Sequence, residues 1–266
     1  MIDVVIVTSN RADYLRRCLA GYVRQAHKDI AVVIADDGST DETEQVVKEF
    51  KNLAPFSITH VWQEKNGFRR PKIMNEAVKA CAHDYLFFTD CDCLPAEDIL
   101  DVHLRHMSRK VFILGGAIKL SKERTDSILK DFDNNPSYLP APVSDDLAEL
   151  RKRRSKARRQ MLFRRKRAPH IYGANFSLYK NSFLAVNGYD ENFVGWGNAD
   201  GDLRERLKRA GLKPSVLYDE AIVYHLSHPR DPSASLRQNR DYARRRNIPV
   251  RCLNGIEKLQ ATNKAR

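Results

Sequence analysis

Short apolar runs alternate with amphipathic segments through the first 115 residues of this chain. The apolar and β-branched runs predict strands at 4–7, 30–35, 57–62, 85–89 and 111–114. Between them, apolar residues at helical spacing predict helices at 12–25, 41–50, 71–82 and 96–107. Alternating strands and helices are typical of an α/β protein with a mostly parallel sheet.

The pattern changes after residue 120. Residues 121–150 are polar and contain three prolines, which predicts a long excursion or lid, and residues 151–167 contain eleven Lys and Arg and no acid. Globular patterning then returns, with a helix predicted at 203–210 and a strand leading into 223–228. We predict one globular domain with a basic helical insertion and a basic tail, divided into 1–115, 116–170, 171–230 and 231–266.

The composition is that of a globular protein, with 42% hydrophobic and 30% charged residues among 266. No apolar stretch is long enough to span a bilayer, and the first eight residues are predicted to be a strand rather than a signal peptide. Five scattered cysteines predict reduced thiols in the cytoplasm. The net charge of +12 favours an anionic partner, which could be nucleic acid, a phosphorylated substrate or an anionic membrane.

Asp90-Cys91-Asp92, directly after the predicted strand 85–89, is the most informative motif. Alternate residues of an extended chain point to the same side, so Asp90 and Asp92 can face one site while Cys91 faces away. In open α/β sheets, ligands bind beyond the C-terminal ends of the strands. Two carboxylates there suit Mg²⁺ or Mn²⁺ held with a phosphate, although such triplets also occur in surface turns.

Two other segments place polar groups near the same edge. Asp36 and Asp37 end the second predicted strand, where a carboxylate can accept hydrogen bonds from a ribose or a base. An ordinary helix-capping turn is the alternative interpretation. Lys72 and Asn75 share a face at the start of a helix, where they could contact an anion and a base, or simply be a solvated lysine and its neighbour.

The glycine-rich segment 188–202 and the histidines that follow it are further candidates. Trp196 offers a flat face on which a sugar ring can stack. Asp200 is the candidate general base, and Asp202 is predicted to cap the next helix. His225 and His228 could complete the coordination of a metal that two carboxylates leave open, although a lone histidine is usually structural.

These segments resemble a known family. The first half is similar to family 2 glycosyltransferases of the GT-A fold in Thr8-Ser-Asn10-Arg11, Asp36-Asp37-Gly-Ser-Thr, Lys72 to Asn75, and Asp90-Cys-Asp92. The second half, from Gly188-Tyr-Asp-Glu to Gly195-Trp-Gly-Asn-Ala-Asp200, resembles a segment shared by β-1,4-galactosyltransferases and bacterial chondroitin-type polymerases. The resemblance covers residues 1–230, with the motifs in the family's order.

The resemblance implies a role for each matched residue. Asp36 would hold the uracil or its ribose, Asp90 would touch the ribose or a metal-bound water, and Asp92 would ligate Mn²⁺ or Mg²⁺. His225 would be the distal metal ligand, with His228 as the close alternative. Asp200 would be the catalytic base, and Trp196 would line the junction of donor and acceptor. The other candidates for the nucleotide-sugar site are Thr8, Asn10, Arg11, Asp37, Lys72 and Asn75.

Two positions depart from the family pattern. Ala199 stands where the family has a glutamate that binds acceptor or donor hydroxyls, so the sugar preference stays open. Met74 stands where relatives often have arginine, which leaves Lys72, Arg69 or Arg70 to supply positive charge on the phosphate side.

We therefore predict a metal-dependent, inverting glycosyltransferase that moves a hexose or N-acetylhexosamine from a UDP-sugar to a glycan or lipid-linked acceptor. The expected setting is bacterial surface polysaccharide synthesis, such as lipopolysaccharide, in the cytoplasm or at the inner face of the cytoplasmic membrane. Residues 1–115 would form the nucleotide-sugar half, and 171–230 the half with the acceptor and the base.

Three other functions fit less of the pattern. A catalytically degenerate binding protein is favoured by Ala199 but not by the intact acids. A nucleic-acid-binding protein would interleave basic and aromatic residues throughout, whereas here the positive charge is concentrated. A nucleotidyltransferase would need a glycine-rich phosphate loop near the first strand. For the basic run 151–167, three interpretations remain: a solvated helix, an anionic membrane contact in which Met161-Leu-Phe163 inserts, or nucleic acid.

Overall fold

The computed structural model describes residues 1–135, 138–163, 169–229, 238–245 and 247–260. The strands are β1 (Ile2–Thr8), β2 (Ile30–Asp36), β3 (Ser57–Trp62), β4 (Tyr85–Asp90), β5 (Cys93–Pro95), β6 (Val111–Lys119), β7 (Phe176–Tyr179) and β8 (Lys213–His225). The helices are α1 (Ala12–Arg24), α2 (Thr43–Leu53), α3 (Arg70–Ala80), α4 (Ile99–Arg105), α5 (Lys122–Asn134), α6 (Ser144–Leu162), α7 (Lys180–Ala185), α8 (Ala199–Arg209) and α9 (Arg240–Ala243).

Within the described residues, the strands form one sheet in the order β3-β2-β1-β4-β7-β6-β8-β5. Strands β3, β2, β1 and β4 are parallel, as expected when helices α1 to α3 provide the crossovers. The second half is mixed, because β7 is antiparallel to β4 and β6 while β6 and β8 are parallel. The predicted α/β class is confirmed, and the sheet, predicted to be mostly parallel, is mixed because its second half contains antiparallel pairs.

The register of the strands brings the candidate residues to one edge of the sheet. Thr8 pairs with Asp36, and Val7 pairs with Asp90, so the ends of β1, β2 and β4 coincide. On the other side, Cys93 of β5 pairs with His225 at the end of β8. The sequence did not predict the short β5 strand. This strand follows the acidic motif and pairs with β8, so it places the motif next to the histidines.

The hydrophobic core lies on both faces of the sheet, because strand residues alternate in direction. In β1, Val5 and Val7 belong to one apolar cluster, while Ile2, Val4 and Ile6 belong to the other. All of them are buried, so β1 is a central strand covered on both faces.

A register break between Gly115 and Gly116 of β6 admits the buried side chain of Asn175. A Cβ atom at Gly115 would lie 2.2 Å from the amide oxygen of Asn175, and one at Gly116 would lie 1.9 Å from the carbonyl oxygen of Tyr218. The amide group of Asn175 donates to the carbonyl oxygens of Gly116 and Ala221, which fixes the segment leading into β7. Glycine is required here because neighbouring strands approach too closely for any side chain.

Two polar segments of the second half carry more order than their composition suggests. The predicted polar excursion at 121–150 contains α5 and the start of α6, which pack through Phe132 and Leu150. The chain after His228, predicted to be a tail with few core-forming residues, buries Asn239 and Cys252 in its described part. Both segments are polar on average, and a few buried side chains anchor them. The basic run 151–167 is helical as far as residue 162, and residues 164–168 lie outside the described part.

Candidate active site

Asp92, His225 and His228 come together at the C-terminal edge of the sheet. Among the described residues, they form a group whose candidate ligand atoms all lie within 4.8 Å of one another. Nε2 of His228 lies 3.0 Å from Oδ2 of Asp92, and Nε2 of His225 lies 3.8 Å from Oδ1. A carboxylate with two imidazoles is a donor set that suits Mn²⁺ and other first-row divalent ions.

The second nitrogen of each imidazole is held by the backbone. Nδ1 of His225 lies 3.0 Å from the carbonyl oxygen of Leu226, and Nδ1 of His228 lies 2.7 Å from that of Pro229. A carbonyl only accepts, so the contact at His225 favours a proton on Nδ1, and both contacts direct Nε2 toward Asp92. This is the outer arrangement by which proteins orient histidine ligands toward a metal.

Arg11 adds a positive charge to this cluster. Its Nη1 donates to Oδ2 of Asp92 at 3.1 Å, and its Nη2 lies 3.0 Å from Nδ1 of His228. Burial of Asp92 works against its ionisation, but the hydrogen bond with His228 and the charges of His225 and Arg11 outweigh it and lower the pKa of Asp92. Asp92 is therefore held as a carboxylate.

A second cluster lies beside the first, with Arg70 at its centre. Nη2 of Arg70 donates to Oδ1 of Asp90, and Nη1 donates to Oδ1 of Asp200, both at 3.1 Å. The hydroxyl of Tyr189 also donates to Oδ1 of Asp200, at 2.8 Å. One guanidinium thus joins the acidic motif after β4 to the candidate base in the first turn of α8.

The charges of this cluster depend on one another. Burial and the neighbouring charges of Asp92 and Asp200 raise the pKa of Asp90, and Arg70 only partly offsets them. Burial also acts against the charge of Arg70, but the two carboxylates reverse this effect, and its pKa is raised well above the usual value. Because the charge of Asp92 acts on Asp90, the two clusters form one continuous site.

Gly173 forms the backbone wall of the second cluster. A Cβ atom at this position would lie 2.7 Å from Nη2 of Arg70 and 2.8 Å from Oδ2 of Asp200. The carbonyl oxygen of Gly173 accepts a hydrogen bond from Arg70 at 3.3 Å. Any larger residue would displace the ion pair.

The acids at the end of β2 lie in a separate part of the same edge. Both are buried, and Asp36 accepts hydrogen bonds from the backbone N–H of Ser39 at 2.8 Å and contacts Nε2 of His60 at 3.0 Å. Asp37 accepts from the backbone N–H of Arg69 at 2.9 Å and from the side chain of Gln63. These bonds hold both carboxylates at the ends of β1, β2 and β3, beside a cleft lined by Asn10, Arg11 and Thr40.

The remaining nucleotide-side candidates divide between this cleft and the protein interior. Thr8 is buried, and its hydroxyl has no hydrogen-bond partner among the described residues. Asn10 adopts a left-handed conformation (φ +50°) and accepts from the backbone N–H of Thr40. Lys72 lies in the first turn of α3, whereas Asn75 is fully buried and uses its amide to bind the backbone of Tyr189. In this structure Asn75 joins α3 to the segment before Asp200.

The glycine-rich segment places Trp196 at the surface, with 52% of its area exposed. The prediction that Asp202 caps α8 was wrong, since the cap is Asn198 and Asp202 lies in the first turn. There it is buried and paired with Arg206 at 2.7 Å. The helix begins earlier than predicted because left-handed residues at 195, 197 and 198 turn the chain into it.

Sequence reasoning missed several residues of the site. It named Arg70 only as one source of phosphate-side charge, and it gave no role to Tyr189, Gly173 or His60. The signal for Arg70 was its position at the start of a helix next to the acidic strand. The signal for Tyr189 was its place in the Gly188-Tyr-Asp-Glu motif, whereas Gly173 carries none, because only the fold brings it to Asp200.

Two family models match the chain. Glycosyl transferase family 2 matches residues 3–185, and the N-terminal domain of galactosyltransferase matches residues 153–229. The acids of β2 and the acidic motif after β4 fall in the first match, and Asp200 and both histidines fall in the second. The resemblance seen in the sequence is confirmed in both halves.

Similar proteins include the validoxylamine A glucosyltransferase of Streptomyces hygroscopicus subsp. jinggangensis, which is 28% identical over 247 residues, 89% of this chain and 58% of the relative. The chondroitin synthase of Escherichia coli is 24% identical over 268 residues, 95% of this chain and 38% of the relative. The chain thus spans about half or less of the length of these relatives.

Solved structures show the same fold. The mannosyltransferase PcManGT of Pyrobaculum calidifontis, in complex with GDP-Man and Mn²⁺, superposes with a TM-score of 0.63 at 19% identity, covering 93% of this chain and 65% of the other. TarS 1–349 of S. aureus, in complex with UDP-GlcNAc, gives 0.59 at 16% identity, covering 88% and 60%. The predicted GT-A fold is confirmed.

Proposed function

We propose that this chain, which belongs to glycosyl transferase family 2, transfers a sugar from a UDP-sugar to an acceptor hydroxyl with inversion at the anomeric carbon. The observation that carries the proposal is that two clusters lie side by side. The first is the group of Asp92, His225 and His228. The second is the pair of salt bridges from Arg70 to Asp90 and Asp200. The first is suited to a metal-bound diphosphate and the second to a base.

Asp92, His225 and His228 would hold Mn²⁺ or Mg²⁺, and their donor set fits Mn²⁺ better because imidazole is a poor ligand for Mg²⁺. When bound, the ion would act as a Lewis acid toward the departing diphosphate. Arg11, already against Asp92, adds a guanidinium that can donate two hydrogen bonds to phosphate oxygens. Negative charge developing on the leaving group would therefore meet preorganised positive charge.

Asp200 would accept the proton of the acceptor hydroxyl as that oxygen attacks the anomeric carbon. The new glycosidic bond forms while the bond to the UDP oxygen breaks, so a single displacement inverts the configuration. Arg70 and Tyr189 both bind Oδ1 of Asp200, which orients the carboxylate. A positioned base of this kind contributes roughly 10² to 10⁴-fold to the rate.

The donor sugar would be a hexose or N-acetylhexosamine. Ala199, where family members carry a glutamate, begins α8 and packs its methyl group against the core. Hydroxyl recognition at this point would therefore depend on other groups near Trp196 and Asp200. The acceptor would be a glycan or lipid-linked glycan of bacterial surface polysaccharide synthesis.

We place the protein at the inner face of the cytoplasmic membrane on the basis of α6. Among the described residues, no helix is long and apolar enough to cross a bilayer. The outward side of α6 carries Lys152, Lys156 and Arg159, and it ends in Leu162 and Phe163, which are 78% and 73% exposed. Cations beside exposed apolar residues suit an anionic lipid surface.

The test is hydrolysis and transfer from a panel of UDP-sugars with Mn²⁺ or Mg²⁺. We expect one UDP-sugar to turn over, Asp92→Ala to abolish metal-dependent turnover, and Asp200→Asn to lower kcat by roughly 10² to 10⁴-fold while UDP still binds. Asp126→Asn is the control, since this carboxylate is exposed on α5 and pairs only locally with Lys122.

Each negative outcome has a specific meaning. Turnover of GDP-, dTDP- or CMP-sugars alone would refute the UDP assignment and leave the mechanism standing. Retention of the anomeric configuration would refute the single displacement. If calorimetry detects no nucleotide binding in the presence of Mn²⁺, the catalytic proposal is wrong.

A further inference from the structure

The loop that carries Trp196 has an unusual backbone. Gly195 and Gly197 have φ angles of +80° and +100°, and Asn198 has φ +69°. Glycine and asparagine are the residues that adopt this left-handed region at least cost, so the three positions mark a sharp turn that the sequence allows. Glycine also leaves the backbone free to adopt other conformations, so contacts from outside the loop decide which one it keeps.

Asn239 supplies such contacts from the C-terminal part of the chain. It is only 5% exposed, and its Nδ2 donates to the carbonyl oxygens of Gly195 at 3.3 Å and Gly197 at 3.1 Å. One amide thus holds the backbone on both sides of Trp196. A Cβ atom at Gly195 would lie 2.6 Å from Oε1 of Gln238, so the two segments lie in close contact.

Arg245 anchors the other end of the same loop. Its Nη2 donates to Oδ2 of Asp190 at 3.1 Å and to Oδ1 of Asp202 at 2.8 Å. The hydroxyl of Tyr242 donates to the same oxygen of Asp190 at 2.7 Å, and the guanidinium lies 4.0 Å from the ring centre of Tyr242. Since Asp202 lies in the first turn of α8, these bonds hold the turn that carries Asp200.

We propose that residues 238–245, which we call the C-terminal clasp, form part of the acceptor site by holding Trp196 and Asp200 in their working positions. Asn239 and Arg245 are positioning residues that act through the loop. The clasp lies beyond residue 229, where the second family match ends, so neither match includes it. The role in the acceptor site rests on the proposed function, whereas the anchoring of the Trp196 loop does not.

The test uses the fluorescence of Trp196. The chain has two tryptophans, so Trp62→Phe leaves Trp196 as the sole indole. In that background, Asn239→Asp keeps the side-chain shape but turns a carboxylate oxygen toward two carbonyl oxygens. We expect the acrylamide quenching constant of Trp196 to rise about twofold and the emission to shift to longer wavelength, because the loop leaves its anchored position.

The kinetic arm compares acceptor and donor in the otherwise native chain. We expect Asn239→Asp to raise the acceptor KM about tenfold, while the Kd for UDP changes less than twofold, since a displaced loop disturbs positioning and not the nucleotide cleft. Arg240→Ala is the matched control, because Arg240 is the exposed neighbour on the same turn. It should leave both readouts unchanged.

Tyr242→Phe provides a second variant if Asn239→Asp does not fold, since it removes one hydrogen bond to Asp190 and keeps the ring. It should increase quenching in the same direction by a smaller factor. Unchanged quenching in a folded variant would overturn the clasp, even if no donor is ever found. Increased quenching with an unchanged acceptor KM would overturn its role in the acceptor site.

Discussion

A single, partly buried guanidinium holds two acids in this site, and this arrangement makes Arg70 more important than its sequence context suggests. Its neighbours Asp90 and Asp200 each bind one of its terminal nitrogens. Removing one partner from a partly buried ion pair leaves an uncompensated charge, which is more destabilising than the loss of a surface pair. Arg70 therefore contributes to the stability of the protein as well as to the site.

Arg70→Met should lower the free energy of unfolding by about 2 kcal/mol at pH 7.5, between the values for surface and fully buried pairs. Without Arg70, burial and the remaining carboxylates raise the pKa of Asp90 further. A raised pKa in the folded state stabilises the protonated fold, so the loss should shrink as the pH falls toward 5.5. Urea unfolding at the two pH values measures this difference.

Arg16→Met is the matched control, because Arg16 pairs with Glu49 at the surface. It should cost less than about 1 kcal/mol at either pH. An Arg70→Met penalty that stays the same at pH 7.5 and 5.5 would show that the lost stability comes from packing and not from unpaired carboxylates.

At the level of elements, a buried polar network ties α4 to β4, β7 and the loop before β7. The amide group of Asn175 donates to two carbonyls, so its oxygen must accept the proton on Nε2 of His103, 2.9 Å away. Nδ1 of His103 then accepts from the hydroxyl of Ser177 at 2.7 Å, and Ser177 accepts from Tyr85 at 2.8 Å. Each donor in this network finds an acceptor if the imidazole of His103 is neutral, and a second proton on that ring would have no acceptor.

This network predicts a loss of stability at acid pH. Burial lowers the pKa of His103 from its ordinary value of 6.5 to about 4. Below pH 6.5 the unfolded chain binds a proton that the fold rejects, so the contribution of His103 is fully present above 6.5 and is lost as the pH falls to about 4. The loss amounts to about 3 kcal/mol.

Chemical unfolding of the native chain and of His103→Gln between pH 7 and 4 measures this loss. Titrating carboxylates affect both proteins equally, so the difference between the two curves isolates His103. We expect the native chain to lose its advantage as the pH falls. His106→Gln, at an exposed neighbouring position that pairs with Glu220 at the surface, should change the slope much less than His103→Gln does. A constant difference across the range would contradict a neutral, buried His103.

The elements that the sequence predicted well are those whose signal is local. The strand 57–62 was predicted to the residue, and the acidic motif follows a buried strand as expected. The apolar runs of β1 and β4 are a short-range pattern, and both runs form buried strands in the sheet. By contrast, β5 has only three residues, too few for a periodic pattern. The basic run of α6 was predicted to be helical, but the start of the helix at Ser144 was not, because α6 buries only Leu150 and Ala157.

The site divides in the same way. Carboxylates and histidines were found because their residue types carry the chemistry, whereas Tyr189, Gly173 and Asn239 take part only through long-range packing. The contact between Asn239 and Gly195 spans 44 positions, and nothing in the local sequence of either residue indicates it. Such contacts are decided by the fold and must be read from it.

At the scale of the whole molecule, the net charge of +12 is distributed unevenly. On α6, Arg154 is directed inward and pairs with Asp219 and Glu220, while Lys152 and Lys156 lie on the exposed side. The same helix reaches the candidate site, because Arg153 contacts the hydroxyl of Tyr172, the neighbour of Gly173. A surface bound by α6 would therefore lie close to the cluster of Arg70 and Asp200.

This geometry predicts salt-sensitive binding to anionic lipid. Vesicles with phosphatidylglycerol should capture the protein, and vesicles of phosphatidylcholine should not, because each cation near the surface contributes about 1 kcal/mol. Raising the ionic strength from about 0.1 to about 1 M should release it, since the screening length falls from about 10 Å to about 3 Å. Vesicle sedimentation measures the bound fraction.

The apolar end of α6 decides between a membrane and other anions. Replacing Leu162 and Phe163 by serine removes side chains that a bilayer would bury, and it should weaken binding to vesicles by at least about tenfold. Leu53→Ser is the control, because Leu53 is 70% exposed on α2, in a different part of the fold. If the double serine variant binds vesicles as well as the native chain does, only charge is involved. Tighter binding to an oligonucleotide than to the vesicles would then identify nucleic acid as the partner of α6.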